Sequence, residues 1–251
     1  MVTGLDLFRD HFREYSDCYV LIGGTASHLA LREEGLDFRA TKDLDIILCI
    51  EALDERFLAA FWAFVQAGGY ARQERATGAR TYYRFQKPSD AAYPHMLELF
   101  SRQPDGISVP PGVHLTPIPS DSELSSLSAI LLDDTYYRWV MAGRRHTAGV
   151  ATVGPEHLIP LKARAYLDLR ARRERNEPVK SSDIKKHRND VVRLAQLLAP
   201  TPIADVPAVA RADLRAFLAV LDLDAERLRN LKVAFLTPEA VTRLLETAYS
   251  L

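Results

Sequence analysis

One stretch constrains the fold more than any other. Residues 18–50 read CYVLIGGTASHLALREEGLDFRATKDLDIILCI. Two short runs, CYVLI and LDIILCI, are apolar and rich in branched side chains. They are long enough for strands and too short for buried helices. Gly23-Gly24 ends the first run, and Thr25–Glu34 reads as a helix with Gly35 at its C-terminal cap. A strand, a glycine bend, a helix and a second strand predict an α/β core. Glycine at a strand-to-helix bend lets backbone N–H groups approach an anion closely. The helix N-terminus adds further donors and a positive partial charge. Asp43 and Asp45 are two positions apart, so on a strand they share one face.

The flanking chain predicts further elements. Leu5, Phe8, Phe12 and Tyr15 mark a first amphipathic helix over 4–15, and Phe57, Leu58, Phe61, Phe64 and Val65 mark another over 51–67. Strands are expected at 70–75, 80–86 and 95–101, with a short one in VHLTPI. Residues 121–132, which overlap the serine run SDSELSSLS of 120–128, predict a helix; 135–153 predict two strands turning at Ala142-Gly143. Tyr82, Tyr83, Tyr136 and Tyr137 then read as strand packing. Beyond Pro155 the pattern is helical, over 155–172, 182–199, 211–222 and 237–250. The shift near 154 divides the chain into an α/β (α+β) domain, 1–153, and a helical domain, 154–251.

Charge and cysteine content narrow the function classes. Lys plus Arg is 32 and Asp plus Glu is 33, a formal charge of −1. The chain as a whole is therefore not a basic nucleic-acid binder, and a basic surface has to be local. Cys18 and Cys49 lie in apolar runs without metal-ligand spacing, as small buried side chains of a reducing compartment do. The N-terminus lacks a signal-peptide pattern, and no apolar run approaches the ~20 residues that span a bilayer. A cytoplasmic protein without membrane association is expected.

Two carboxylates on one strand face beside a phosphate cradle suit Mg²⁺, a hard cation that takes carboxylate and phosphate oxygens. Two such ions activate an attacking oxygen and stabilise a leaving one. A third carboxylate is expected from a neighbouring strand. Glu98, between Leu97 and Leu99, is the candidate, because an ionised group in an apolar run is costly without a cation or partner. It would complete the metal shell and accept the proton of an incoming hydroxyl. His28 reads as a capping or surface residue, and His95, His114, His146 and His157 show no ligand spacing.

The order Gly-Gly, Asp-x-Asp, later strand acid resembles the nucleotidyltransferase superfamily of DNA polymerase β type. GGTASHLAL and FRATKDLDI are similar to abortive-infection (AbiEii-type) and MenT-type toxins of bacterial toxin–antitoxin pairs. LKARAYLDLRAR and SSDIKKHRNDVVRLAQLL resemble their helical part. The resemblance implies a mixed-sheet nucleotidyltransferase domain with the nucleotide lying between it and the helical domain. It implies that Gly23, Gly24 and Thr25 hold the phosphates of an NTP, with Thr25 and Ser27 hydroxyls as extra donors. Asp43, Asp45 and Glu98 would hold Mg²⁺. Lys162 would neutralise phosphate charge, and Asp190 would orient it or help seat the nucleotide. The implied acceptor is tRNA, and the implied partner is an antitoxin. Eighteen residues separate Gly24 from Asp43, more than is usual in the superfamily, and this leaves the role of Arg39 open. An antibiotic- or protein-modifying enzyme of the same chemistry, or an inactive fold serving as a binding module, stays open too. So does the basic run from Arg170 to Arg188, which reads equally as a solvated helix face or as a contact for nucleic-acid phosphates.

Overall fold

The computed structural model describes residues 2–72, 83–106, 115–118, 127–233 and 235–251, with the backbone alone at 72, 115–118 and 127–131. The fold is mixed α/β with a helical C-terminal part. The chain divides into two compact units: Met1–Arg32 with Asp37–Val153, and Glu33–Leu36 with Gly154–Leu251.

The first unit opens with α1 (Leu5–His11), β1 (Tyr19–Ile22), α2 (Gly23–Glu33), β2 (Asp43–Leu48) and α3 (Glu55–Ala67). It continues through β3 (Ala71–Arg72), β4 (Arg84–Gln86), β5 (Met96–Ser101), β6 (Leu115–Ile118), β7 (Leu127–Leu131), α4 (Asp134–Ala142), β8 (Arg144–Thr147) and β9 (Val150–Val153). The strands form one sheet in the order β3-β4-β5-β2-β1-β9-β8. β1 runs antiparallel to β2, and β2 runs parallel to β5. β4 lines β5 over Met96–Glu98, and β7 continues parallel to it at Phe100 and Ser101.

Alternation along the two central strands sorts their side chains. Leu44 and Ile46 of β2 and Leu97 and Leu99 of β5 are buried in one core cluster with Phe8, Phe12, Phe57, Phe61 and Phe64 of the α1–α3 region. The rings there pack tightly, with Phe8 and Phe12 centroids 4.5 Å apart and Phe12 and Phe64 5.4 Å apart. Because strand side chains alternate, burying this face sends Asp43, Asp45 and Glu98 to the other. α3 starts later than its apolar pattern suggests, since Asp54 caps it by accepting a hydrogen bond from the Phe57 N–H at 2.8 Å. Cys18 and Cys49 are free and buried, and burial pushes both thiols up to about 11.

Three expectations change. Residues 127–131, read as helix, form β7; pairing with β5 and β6 outweighs local propensity, and 121–126 lie outside the described residues. Residues 135–142, read as strand, form α4. Asp133 caps it through the N–H groups of Thr135 and Tyr136, and Tyr136, Tyr137, Trp139 and Val140 are its buried side chains. Tyr136 and Tyr137 are thus helical, and Tyr137 donates its hydroxyl to Glu51 at 2.7 Å. The strand pair that follows turns at Ala148-Gly149, both with positive φ. Of the strands expected over 70–75 and 80–86, β3 and β4 are seen, and 73–82, with Tyr82, lie outside the described residues.

The second unit contains α5 (Pro155–Glu174), α6 (Ser181–Ala195), α7 (Ala208–Ala219), α8 (Ala225–Asn230) and α9 (Pro238–Tyr249). The short α8 was not expected; Asp224 caps it through the Arg227 N–H. Pro160 sits inside α5 and has no N–H for the carbonyl of Glu156, four residues earlier. The Tyr249 hydroxyl, from α9, donates to that carbonyl at 2.9 Å. Lys162 of α5 and Asp190 of α6 form a buried ion pair, Nζ to Oδ2 3.1 Å, with side chains 5% and 0% exposed. Arg193 Nη1 lies 3.9 Å from the other carboxylate oxygen. Among the described residues, no helix is long and apolar enough to cross a membrane.

Two stability measurements check this packing. Tyr249→Phe strands a carbonyl whose usual helical donor is missing, and is expected to cost about 1–3 kcal/mol in urea denaturation; an unchanged midpoint would remove the hydroxyl from the account. Lys162→Met takes the nearer cation from buried Asp190 while Arg193 stays 3.9 Å away, and is expected to cost up to about 3–5 kcal/mol, whereas Lys162→Met with Asp190→Leu recovers part of that loss. Equal stability of the single and double variants would contradict the pairing.

Candidate acidic site beside the glycine bend

The site is built where β1 becomes α2. Ile22 is the register partner of Asp45, so Gly23 follows directly beside that carboxylate. Gly23 has φ +64°, and a methyl group added to it would overlap the Asp45 carboxylate. Both facts require glycine here. Gly24 has a different neighbour. A methyl group there would lie 2.7 Å from Thr41 Oγ1 and 3.4 Å from Arg39 Nη2. Arg39 therefore brings its guanidinium to the first turn of α2, stacked 5.0 Å from the centroid of the Phe38 ring. This places a residue whose position was open in the sequence.

Thr25 and Ser27 are completely buried. The Thr25 hydroxyl donates to the Asp43 carbonyl at 2.9 Å, and the Ser27 hydroxyl donates to the Gly23 carbonyl at 2.6 Å. Their protons are thus spent inside the fold: Thr25 ties α2 to β2, and Ser27 braces the bend. The donors at the bend are the backbone N–H groups of the first turn of α2, and the Arg39 guanidinium lies beside them.

Glu98 is the register partner of Asp45 across the parallel β2–β5 pair, and neighbouring strands lie ~4.8 Å apart. Asp43, Asp45 and Glu98 thus lie on one face of adjacent strands. Glu98 is largely buried, its side chain 12% exposed. Burial pushes its carboxyl above the ordinary glutamate range; the Asp45 and Asp43 charges push the same way, and the Arg84 guanidinium opposes them. Arg84, on β4 directly opposite Glu98, donates from Nε to Oε1 at 2.9 Å, and its Nη2 contacts the same oxygen. Sequence reasoning missed Arg84. Its signal was an arginine in step with the alternation around Phe85, legible only once β4 is known to pair with β5.

His95 Nδ1 lies 3.7 Å from Asp43 Oδ1. His28, read as capping or surface, is buried on α2 facing Phe38. Neither of its ring nitrogens has a hydrogen-bond partner among the described residues, and burial holds its pKa below the usual value. Lys162 and Asp190 are brought together, within the helical unit.

All three donors are carboxylates, which favour Mg²⁺ over softer metals. Among the described residues, no three His, Cys, Asp or Glu side chains already form a cage for a metal ion. Mg²⁺ fits such a site all the same, because it is ordinarily bound through one or two carboxylates plus substrate phosphates. The placement fits in a second way: Asp45 and Glu98 are register partners on one face with Asp43 two positions along, so negative charge is gathered there, and the Arg84 guanidinium offsets part of it. Comparison with known proteins found no match: no family model, no curated protein and no solved structure.

Gly23→Ala is expected to cost at least about 1–3 kcal/mol, from the positive φ alone; a wild-type denaturation midpoint would show that the bend does not need glycine. Carboxyl NMR checks the electrostatics. Glu98 is expected to titrate above the other glutamates, and Arg84→Ala to move it further up. A raised folded pKa means that Glu98 favours folding at acid pH, and that this contribution is lost as pH rises through the folded value. An ordinary or lowered Glu98 pKa would overturn the reading.

Proposed function

We propose that this chain is a Mg²⁺-dependent nucleotidyltransferase that moves an NMP group from an NTP to an acceptor hydroxyl and releases pyrophosphate. One observation supports this above the others: Asp43, Asp45 and Glu98 share a sheet face beside a bend at Gly23 that no side chain can fill. In this reading the N–H groups at the start of α2 and the Arg39 guanidinium receive the phosphate tail. Asp43 and Asp45 hold Mg²⁺, with Glu98 completing the shell. The bound ion supplies charge neutralisation on the phosphates and lowers the pKa of a coordinated oxygen. Glu98 accepts the proton of the attacking hydroxyl. The new bond joins that oxygen to the α-phosphorus, and the bond from the α-phosphorus to pyrophosphate breaks. Most of the rate then comes from positioning and charge compensation. Lys162 and Asp190 enter only as the resemblance implies them, as a phosphate-charge lysine and the acid that holds it. The resemblance likewise supplies tRNA as acceptor, toxin as role, antitoxin as partner and the cytoplasm as location.

Purified protein incubated with α-labelled NTP, Mg²⁺ and total tRNA is expected to label RNA, and Asp43→Asn or Asp45→Asn to lower the rate at least ~10²–10³-fold. Label on protein would move the acceptor to protein, and full activity of either variant would sink the metal assignment. A second readout does not depend on turnover. Mg²⁺ at about 100 times its dissociation constant stabilises a folded site by about 2.7 kcal/mol, so melting of the wild type should rise with Mg²⁺, and that of Asp45→Asn should not.

A further inference from the structure

The helical unit contains a second feature, which the acidic site does not use. Between Arg170 and Arg188 the chain carries eight Lys or Arg against three Asp or Glu, a net of +5 in 19 residues of a chain whose total is −1. The segment folds as the last turn of α5, a connection and the first half of α6. A cleft of about 470 Å³ opens there. Its floor is apolar, formed by Tyr166 and Ile184, 6% and 8% exposed. Tyr166 is held in place by edge-to-face packing on Phe217, with centroids 5.2 Å apart. Arg170, Arg173, Lys185 and Glu174 line the cleft around it.

Interactions inside the fold account for only part of this charge: Arg188 interacts with the Asp222 carboxylate, and Arg170 lies 5.8 Å from the centroid of the Tyr166 ring. Glu174 lies 3.6 Å from Arg170, and Glu177 is shared at 2.8 Å between Arg172 and Arg175. Arg173 Nη1 donates to the neutral Ser181 hydroxyl at 3.0 Å. The helix dipole accounts for part only. Cations at the end of α5 are favoured by it, but Lys180, at the N-cap of α6, is opposed by it, and Lys185, Lys186 and Arg188 gain nothing from it. Concentrating like charge costs self-repulsion, and an external polyanion would offset that cost.

We propose that this cleft and its flanks bind the phosphodiester backbone of a nucleic-acid strand. A single small anion needs cations converging on one point. Here the cations are spread over two elements, Arg170 and Arg173 on α5 and Lys180 and Lys185 at the start of α6, as successive phosphates require. The inference goes beyond the nucleotidyl-transfer reading and does not depend on it.

The test is fluorescence anisotropy of the full chain with labelled 20-nucleotide RNA and DNA of the same sequence, in EDTA and without NTP. The acidic site is then silent, so failure here and failure of the transfer reading are separable. Binding is expected to weaken with salt. The triple variant Arg170→Glu, Arg173→Glu, Lys185→Glu is expected to bind at least ~10-fold more weakly, with a log–log salt slope shallower by about 2 for a single strand. The triple alanine variant should fall between it and the wild type. Three reversals in the other unit, Arg13→Glu, Arg56→Glu and Arg138→Glu, match the charge change and should leave binding nearly unaltered. The RNA and DNA arms show which strand is preferred. Equal losses from both sets of reversals, or no loss from the cleft set at intact melting temperature, would overturn the proposal. So would displacement of the strand by ATP or inorganic phosphate at equimolar phosphate, which would mark a small-anion site.

Discussion

The structure of the first unit depends on one packing constraint, the burial of a single face of the β2–β5 pair against aromatic side chains of α1 and α3. Leu44, Ile46, Leu97 and Leu99 go into that core. Burying a large apolar side chain is worth about 1.5–3 kcal/mol, so four of them outweigh the cost of gathering three carboxylates on the opposite face. A slip of one residue in the register would exchange the two sets. The acidic cluster is therefore stable as a consequence of the core behind it, with Arg84 supplying partial compensation in front.

The glycine bend makes this cluster a candidate site. Gly23 brings the start of α2 against the Asp45 carboxylate, which places helix-terminal N–H groups beside acids that would repel an anion on their own. Thr25 and Ser27 fasten the arrangement from within by donating to the Asp43 and Gly23 carbonyls. Positive groups and carboxylates so close together suit a ligand that is itself mixed, an anion travelling with a cation. That is the physical content of the proposed nucleotide–Mg²⁺ chemistry. The Lys162–Asp190 pair follows a different logic. It is a buried, mutually neutralising contact between α5 and α6, and it sits in the same unit as the strongly basic segment 170–188.

Much of this was legible in the residues. The strand–bend–helix–strand order, Asp43 and Asp45 on one face, and Glu98 as an acid within an apolar strand follow from alternation and spacing alone. The failures are as instructive. TYYRWV has the composition of a strand and folds as α4, because Asp133 caps it and its buried side chains recur at helical spacing. LSAIL was read with the helix-like serine run before it and became β7, because β5 offered a pairing edge. The hydroxyls of Thr25 and Ser27 were expected to face a ligand, and the fold uses them itself.

The sequence by itself determined the elements around the bend, the need for glycine at a strand-to-helix turn, and the periodicity that puts Asp43 and Asp45 together. These are local properties, set by covalent geometry and by side chains a few positions apart. Only the tertiary structure decided that Arg84 faces Glu98, that Arg39 reaches Gly24, and that Tyr249 satisfies the carbonyl stranded by Pro160. Each joins residues 14 to 93 positions apart. Such contacts depend on which strands pair and which helices pack, and no local pattern carries that information.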